Sequence, residues 1–332
     1  MNRRADTWTG IVAAIGISLL ILDSKTALAG AQSGVELCIR TVIPSLFPFF
    51  LFSILLTTSL MGRRIRILRP LCRLCRIPDG AESILIAGFL GGYPVGAQCV
   101  SQAYDAGHLP HADAQRLLGF CNNCGPAFLF GMAGALFSQW WAPWALWGIH
   151  VISALCVGVM IPGKAGVCSV HRKTTVSPVQ ALNQSVRIMA GVCGWVVIFR
   201  VIILFLERWF LWYLPIEAQV AISGLLELSN GCVTLYHIGD TNLRFILCAG
   251  ILGFGGICVT MQTRSVLSAR LDQRLYFPGK ILHCCISLVL ASLLQGAPMP
   301  LMLIISVIVG VLAVLSLRKT QKRSRNPQPV VV

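Results

Sequence analysis

The sequence predicts an all-α, polytopic membrane protein of two related halves built with broken or re-entrant helices. Three observations carry this. Of 332 residues, 56% are hydrophobic and 12% charged, and the mean hydropathy is +0.76. A soluble domain is about 45–50% apolar and about 25% charged, so this chain has too little polar surface to coat a soluble body of its size. The apolar residues fall into stretches of roughly the 20 residues that a helix needs to cross a bilayer. Several stretches are interrupted by glycine and proline, and the interruptions occur in both halves of the chain. Disordered, coiled-coil, collagen-like and disulfide-scaffold classes fail on the same composition.

The elements follow in order. Met1-Asn-Arg-Arg and the apolar run 8–22 read as an uncleaved first helix within segment 1–30, because further spans follow the weak cleavage-like Ala27-Leu-Ala29. The run 35–60 opens the first half, 31–162. It carries Pro44 and Pro48, so a kinked crossing is expected, ending in an arginine cluster (Arg63, Arg64, Arg66, Arg69, Arg73, Arg76). The run 83–104 is interrupted at Gly91-Gly92-Tyr93-Pro94-Val-Gly96, and a short amphipathic segment follows at 108–118. Phe120-Cys-Asn-Asn-Cys-Gly-Pro opens the stretch to 137, and 140–161 is a span with aromatic residues at its start. A polar, basic linker at 163–180 leads to the second half, 181–317, with apolar runs at 188–206, 218–236, 243–267, 281–294 and 301–317. Two of these are broken, at Leu228-Ser229-Asn230-Gly231 and at Gly253-Phe-Gly-Gly256. A basic tail, 318–332, closes the chain. Strict alternation of crossings places the basic loop 163–178 outside unless one apolar segment is re-entrant.

The net charge of +15 lies in short loops and in the tail Arg318-Lys319…Lys322-Arg323-Ser324-Arg325. That distribution is the positive-inside pattern, and it favours topology and lipid contact over nucleic acid. The lipid bilayer is therefore an expected partner and nucleic acid is not. The 14 cysteines sit mostly inside apolar runs, as small hydrophobes do. The pairs Cys72/Cys75 and Cys121/Cys124 lack the four ligands of a closed zinc site, so no metal and no cofactor is expected. Serine-hydrolase, zincin, P-loop and dinucleotide-binding signatures are absent, which argues against an enzyme and against a self-contained ATPase.

The halves echo each other. Ala87-Gly-Phe-Leu-Gly-Gly matches Ala249-Gly-Ile-Leu-Gly-Phe, with Gln98 and Gln262 following. Leu117-Leu-Gly-Phe-Cys-Asn-Asn-Cys resembles Leu225-Leu-Glu-Leu-Ser-Asn-Gly-Cys, in the other order relative to the glycine motif. Interrupted apolar segments in corresponding positions point to a transporter site. Backbone freed at membrane depth must be satisfied by protein or by a wet cavity, and amides at half-helix starts attract anions.

Gly92-Tyr93-Pro94-Val95-Gly96-Ala97, Phe120-Cys121-Asn122-Asn123 with Gly125-Pro126, Leu226-Glu227-Leu228-Ser229-Asn230-Gly231, and Gly253-Phe254-Gly255-Gly256 with Val259 and Gln262 together resemble the YlbJ-like sporulation integral membrane proteins. These belong to the nucleoside-recognition (Gate) group, and the resemblance runs from about Val35 to Leu317. It implies a role in endospore formation, transport of dipicolinic acid, and a place in the membrane surrounding the forespore. Relatives that share only the Gate domain serve iron and nucleoside transport, so another small polar solute is the nearest alternative. A non-transporting scaffold or sensor in spore-envelope assembly is the other. The expected partner is a small-molecule anion, with a homo-oligomer or other sporulation membrane proteins left open. Cys124 and Arg200 depart from the family pattern.

The candidate substrate-binding residues are Gly91, Gly92, Tyr93, Pro94, Gly96, Gln98, Asn122, Asn123, Gly125, Pro126, Glu227, Ser229, Asn230, Gly255, Gly256 and Gln262. Close helix packing alone would also explain the glycines, and capping would explain Asn122 and Asn123 beside Pro126. Glu227, alone in apolar surroundings, either carries a coupling proton or bonds to Ser229 and Asn230. Arg200 either pairs with Glu227, attracts an anion, or snorkels. The histidines show no metal-ligand spacing and read as interfacial or satisfied residues. No lysine or arginine stands at a break, so an anion would be met by backbone amides near 123–127 and 255–258. The amides of Asn122 and Asn123 would assist, with Arg200 as the candidate counter-ion.

Overall fold

The structure, a computed structural model, describes residues 3–163, 176–296 and 300–325. Among the described residues every regular element is helical. Helix α1 (Arg3–Leu22) meets α2 (Ser24–Leu37) at Asp23, whose carboxylate accepts from the Thr26 N–H and caps α2. The proline-bearing stretch continues α2 through a π turn (Cys38–Val42) into α3 (Ile43–Leu60), giving one 37-residue apolar helix, Ser24–Leu60. Short α4 (Arg69–Leu74) lies in the arginine cluster. Then α5 (Glu82–Ile86) and a π turn (Ala87–Gly91) run inward, and the chain reverses at Gly92-Tyr93-Pro94. From there α6 (Val95–Asp105) returns. Next come α7 (His111–Leu118), an irregular segment over 119–125, α8 (Pro126–Phe128) with its helical continuation to Leu136, and α9 (Ala142–Met160).

The second half repeats this order. It holds α10 (Pro178–Trp209), α11 (Ile216–Leu226), α12 (Leu228–Thr234), α13 (Thr241–Phe254), α14 (Gly256–Val266), α15 (Tyr276–Leu294) and the additional α16 (Pro300–Arg325). Helix α10 begins ten residues before the apolar run at 188. Ser177 and Gln180 form a reciprocal capping box with Pro178 at the first helical position, and the polar first turns then extend beyond the apolar slab.

Hydrogen bonds identify two opposite ends. At one, Gly62 N–H donates to Gly80 O, Arg76 to Val159 O, Arg116 to Cys75 O and Arg76 O, and Ser268 N–H to Ser101 Oγ, while the His111 ring meets Arg270 O. At the other, Arg208 pairs with Asp23, and Arg244 donates to Ile238 O and Leu136 O. The α5–α6 hairpin therefore enters and leaves at the arginine-rich end, whereas α11–α12 enters and leaves at the other. Neither crosses. The irregular segment ending at Leu136 and the broken pair α13–α14 do cross, in opposite directions. The two halves thus carry the same order of elements in inverted orientation, and the arginine-rich end is the one that the positive-inside rule expects in the cytoplasm. Because α5–α6 is re-entrant, the end of α9 and the start of α10 both lie at that end. The expected basic loop at 163–178 falls mostly on residues 164–175, which lie outside the described ones.

Five apolar helices are long enough to span a bilayer among the described residues, so the chain is a multi-pass membrane protein. Four of them keep less than half of their apolar window inside the protein. The fifth, Thr241–Val266, is 78% buried. A helix broken at mid-span is tolerated where protein surrounds it, and this is the span that carries the Gly255 break. Helix α7, by contrast, is buried despite its polarity. Arg116, read as part of a polar segment, lies 2% exposed and staples the carbonyls of the α4 turn.

Candidate functional site

The breaks meet at the centre. Tyr93, at the reversal of the α5–α6 hairpin, reaches across to the α13–α14 break, where its hydroxyl lies 3.5 Å from Leu252 O. Gly255 there has φ +82°, and a Cβ on it would lie 2.9 Å from the Tyr93 hydroxyl. Glycine is thus required twice at 255, by the left-handed backbone and by the ring. Tyr93, Gly125, Glu227, Ser229 and Gln262 line a cavity of about 30 Å³, walled on its apolar side by Leu46, Val192 and Val196. One water needs about 10–15 Å³ by this measure, so the cavity has room for about two waters and not for an organic anion.

Other candidates support this centre without lining it. Gly96 and Gly88 let the hairpin lie against the Cys121 carbonyl, Gly91 packs on Val95, and Gly92 (φ +76°) faces Gly125. Pro94 forms the α6 cap position and Pro126 opens α8. Gly256 packs on the backbone of Glu227. Gln98 is half-buried on α6 and does not line the cavity; Gln262 does, with its amide 3.2 Å from Cys258 Sγ.

Asn122 and Asn123 are fully buried. Asn122 Oδ1 accepts from Ala97 N–H at 3.2 Å and its Nδ2 donates to Thr263 Oγ1 at 2.9 Å, tying α6 to α14. Asn123 Nδ2 donates to Phe120 O at 2.7 Å, while its Oδ1 faces a residue that sequence reasoning missed. Lys280 Nζ, on α15, donates to Asn123 Oδ1 at 3.2 Å and to Tyr93 Oη at 2.9 Å, and lies 3.5 Å from His283 Nδ1. The expectation that no lysine reaches the breaks is therefore corrected: Lys280 is remote from them in sequence and adjacent in space. Two histidines follow the second of the two readings, hydrogen-bonded inside the protein rather than interfacial. His283 and His150 stack at 4.5 Å between centroids, and His150 Nε2 accepts from Cys124 N–H. The Cys124 amide is thus already used. The clue in the sequence is Lys280 and His283, three apart on one helical face.

Glu227 caps α12. Its carboxylate accepts from Ser229 N–H at 3.0 Å, Asn230 N–H at 2.7 Å and Asn230 Nδ2 at 2.9 Å. The amides at this break are occupied by the protein's own acid, which is the second of the two readings of Glu227. Arg200 does not pair with Glu227. It lies 3.4 Å from Glu207, two turns along the same helix, and donates to Ser33 Oγ at 3.1 Å. These groups border a larger hollow of about 450 Å³ beside Arg200, Glu207 and His237 that reaches inward to Ser223 and Asn230. With both partners part-exposed, the ion pair is expected to contribute at most about 1 kcal/mol. Thermal unfolding of Arg200→Gln in detergent checks this, and a large loss would contradict it.

Among the described residues no three metal-binding side chains cluster. Burial pushes the Cys72 thiol up to about 12 and Cys75 to about 11, which keeps both protonated at neutral pH.

Compared with curated proteins, the chain is similar to the sporulation integral membrane protein YlbJ of Bacillus subtilis (strain 168). The two are 25% identical over 296 residues, covering 75% of this chain and 72% of that protein. The match supports a YlbJ-like family assignment. No family model matches, and no solved structure matches. That likeness agrees with the helical, multi-pass architecture.

Proposed function

We propose that the chain is a transporter, not an enzyme, moving a small anion, dipicolinate, across the membrane around the forespore during endospore formation. The observation that carries this reading is the meeting of two oppositely entering hairpins and two broken segments around one central cavity. Discontinuous helices from inverted halves, converging near mid-membrane, are how secondary transporters build a substrate site. The two spaces in the protein suit such a role. Asn230 borders the 450 Å³ hollow, while Glu227 and Ser229 border the central cavity, so the break of the α11–α12 hairpin partitions them. A rocking of that hairpin joins the two spaces. The cytoplasmic side is closed by the α5–α6 hairpin, locked through Asn122 to α14.

Purified protein in liposomes is expected to take up labelled dipicolinate saturably, above protein-free vesicles. Deleting the protein in its spore-former is expected to give phase-grey, heat-sensitive spores lacking dipicolinate. Spores with normal dipicolinate and normal heat resistance would overturn the reading. Dipicolinate-poor spores combined with inert liposomes would favour a scaffold or sensor instead.

A further inference from the structure

Lys280 is a buried lysine without an acid partner among the described residues. It is 1% exposed, and none of the ion pairs among the described residues includes it. Its three neighbours are neutral acceptors. His283 Nε2 lies 3.0 Å from His150 O, and a carbonyl only accepts, so Nε2 carries the hydrogen and Nδ1 accepts from Lys280. Glu227, the acid lining the central cavity, is held by the amides of α12.

This arrangement is costly. Fully buried lysines are almost always paired, and ionisable groups at membrane depth are retained where they serve a function. Lys280 stands one turn into α15, where a long side chain ordinarily snorkels to the near interface. It turns inward instead. Linking three neutral acceptors requires no charge, because a neutral donor could do the same. Nor does the cluster form a proton route, since it ends at the His150 carbonyl.

Resting on the transporter reading above, we propose that Lys280 binds a carboxylate of the transported anion, and that the Tyr93 hydroxyl occupies that carboxylate's place in this structure. Tyr93 borders the central cavity, and its hydroxyl sits 2.9 Å from Lys280 Nζ. Of Lys280's three partners, Tyr93 is the one that lines the cavity. Moving the ring enlarges a cavity too small for an organic anion and exposes the ammonium in one step. Asn123 Oδ1 and His283 Nδ1 keep the ammonium aimed while the third N–H changes partner from phenol to carboxylate.

The test uses the full chain in detergent, with pyridine-2,6-dicarboxylate and the uncharged pyridine-2,6-dicarboxamide as calorimetric probes. Wild type is expected to prefer the dicarboxylate. Lys280→Gln is expected to bind the dicarboxylate about 30-fold or more weakly and the diamide unchanged, while Lys280→Arg keeps the preference. Lys280→Gln binding the dicarboxylate like wild type, or losing both probes alike, would overturn the assignment. If Lys280→Gln does not fold, Tyr93→Phe decides. Freeing one N–H of Lys280 should leave dicarboxylate binding at least as tight, and a loss of roughly 10-fold would refute the placeholder role. Wild-type protein that transports without preferring the charged probe removes Lys280 alone. Wild-type protein that neither binds nor transports either probe removes the transporter reading itself.

Discussion

Gly96→Ala is expected to yield little folded protein. A Cβ at 96 would stand 2.0 Å from the Cys121 carbonyl oxygen and 3.0 Å from the Cα atoms of Gly88 and Asn122. Carbon–oxygen contacts settle at about 3.3 Å, so the hairpin and the 119–125 segment would have to part by roughly 1 Å. Every neighbour there is backbone, and no side chain can rotate away. The Asn122 link to Ala97 and Thr263 lies in the same contact and would be stretched with it. Overpacking of ordinary cores costs about 1–3 kcal/mol, more where nothing yields, and this site belongs at or beyond the upper end. Thermal unfolding in detergent, followed by tryptophan fluorescence, measures it. Gly148→Ala is the control, since a Cβ there meets nothing within 4 Å, and it should melt like wild type or slightly higher. A Gly96→Ala protein with wild-type melting would mean that the hairpin does not seat on Cys121 as described.

The breaks were legible in the sequence because glycine and proline mark them directly. Tyr93, Gly125, Glu227, Ser229 and Gln262, which share one cavity, all lie in the interrupted motifs of the sequence. Lys280 was not legible, for a physical reason. A hydropathy reading starts the helix at Ile281, just after the charge, and so assigns Lys280 to the boundary. The fold instead turns that face of α15 toward Tyr93 and Asn123. The same trimming hid the start of α10, where the capping box at Ser177 was the better signal.

The internal echo was right about interruption and wrong about pairing. It aligned Ala87–Gly91 and its following glycine with residues 249–254, but one belongs to a re-entrant hairpin and the other to a crossing helix. In chain order the hairpins correspond to each other. Both close on glycines: a Cβ on Gly96 would meet Gly88, and one on Gly231 would lie 2.3 Å from the Gly224 Cα. Spacings of eight and seven residues between such glycines are the trace of a tight reversal. Arg200 shows the converse limit, because two acids of equal chemistry were available and only the helical register selects Glu207 over Glu227.

The second large effect is expected at Glu227, and it separates two roles that the residue type alone leaves open. Its carboxylate is the acceptor for three N–H donors at the start of α12, and its backbone packs on Gly256 at the opposing break. Glu227→Ala leaves those donors without their acceptor in a buried site. Each unsatisfied group costs about 1–3 kcal/mol, so a total loss of about 3 kcal/mol or more is expected, with uptake falling in parallel with the folded fraction. Glu227→Gln retains one oxygen for the α12 amides but aims an NH₂ group at the remaining donors, and should melt between the alanine variant and wild type. A proton-carrying role predicts a different pattern. The glutamine variant would then keep wild-type melting and lose uptake outright, since an amide neither releases nor accepts the coupling proton. Melting in detergent and dipicolinate uptake in liposomes, measured on the same preparations, decide the matter. Stability and uptake falling together support the cap, and uptake lost at unchanged stability would refute it.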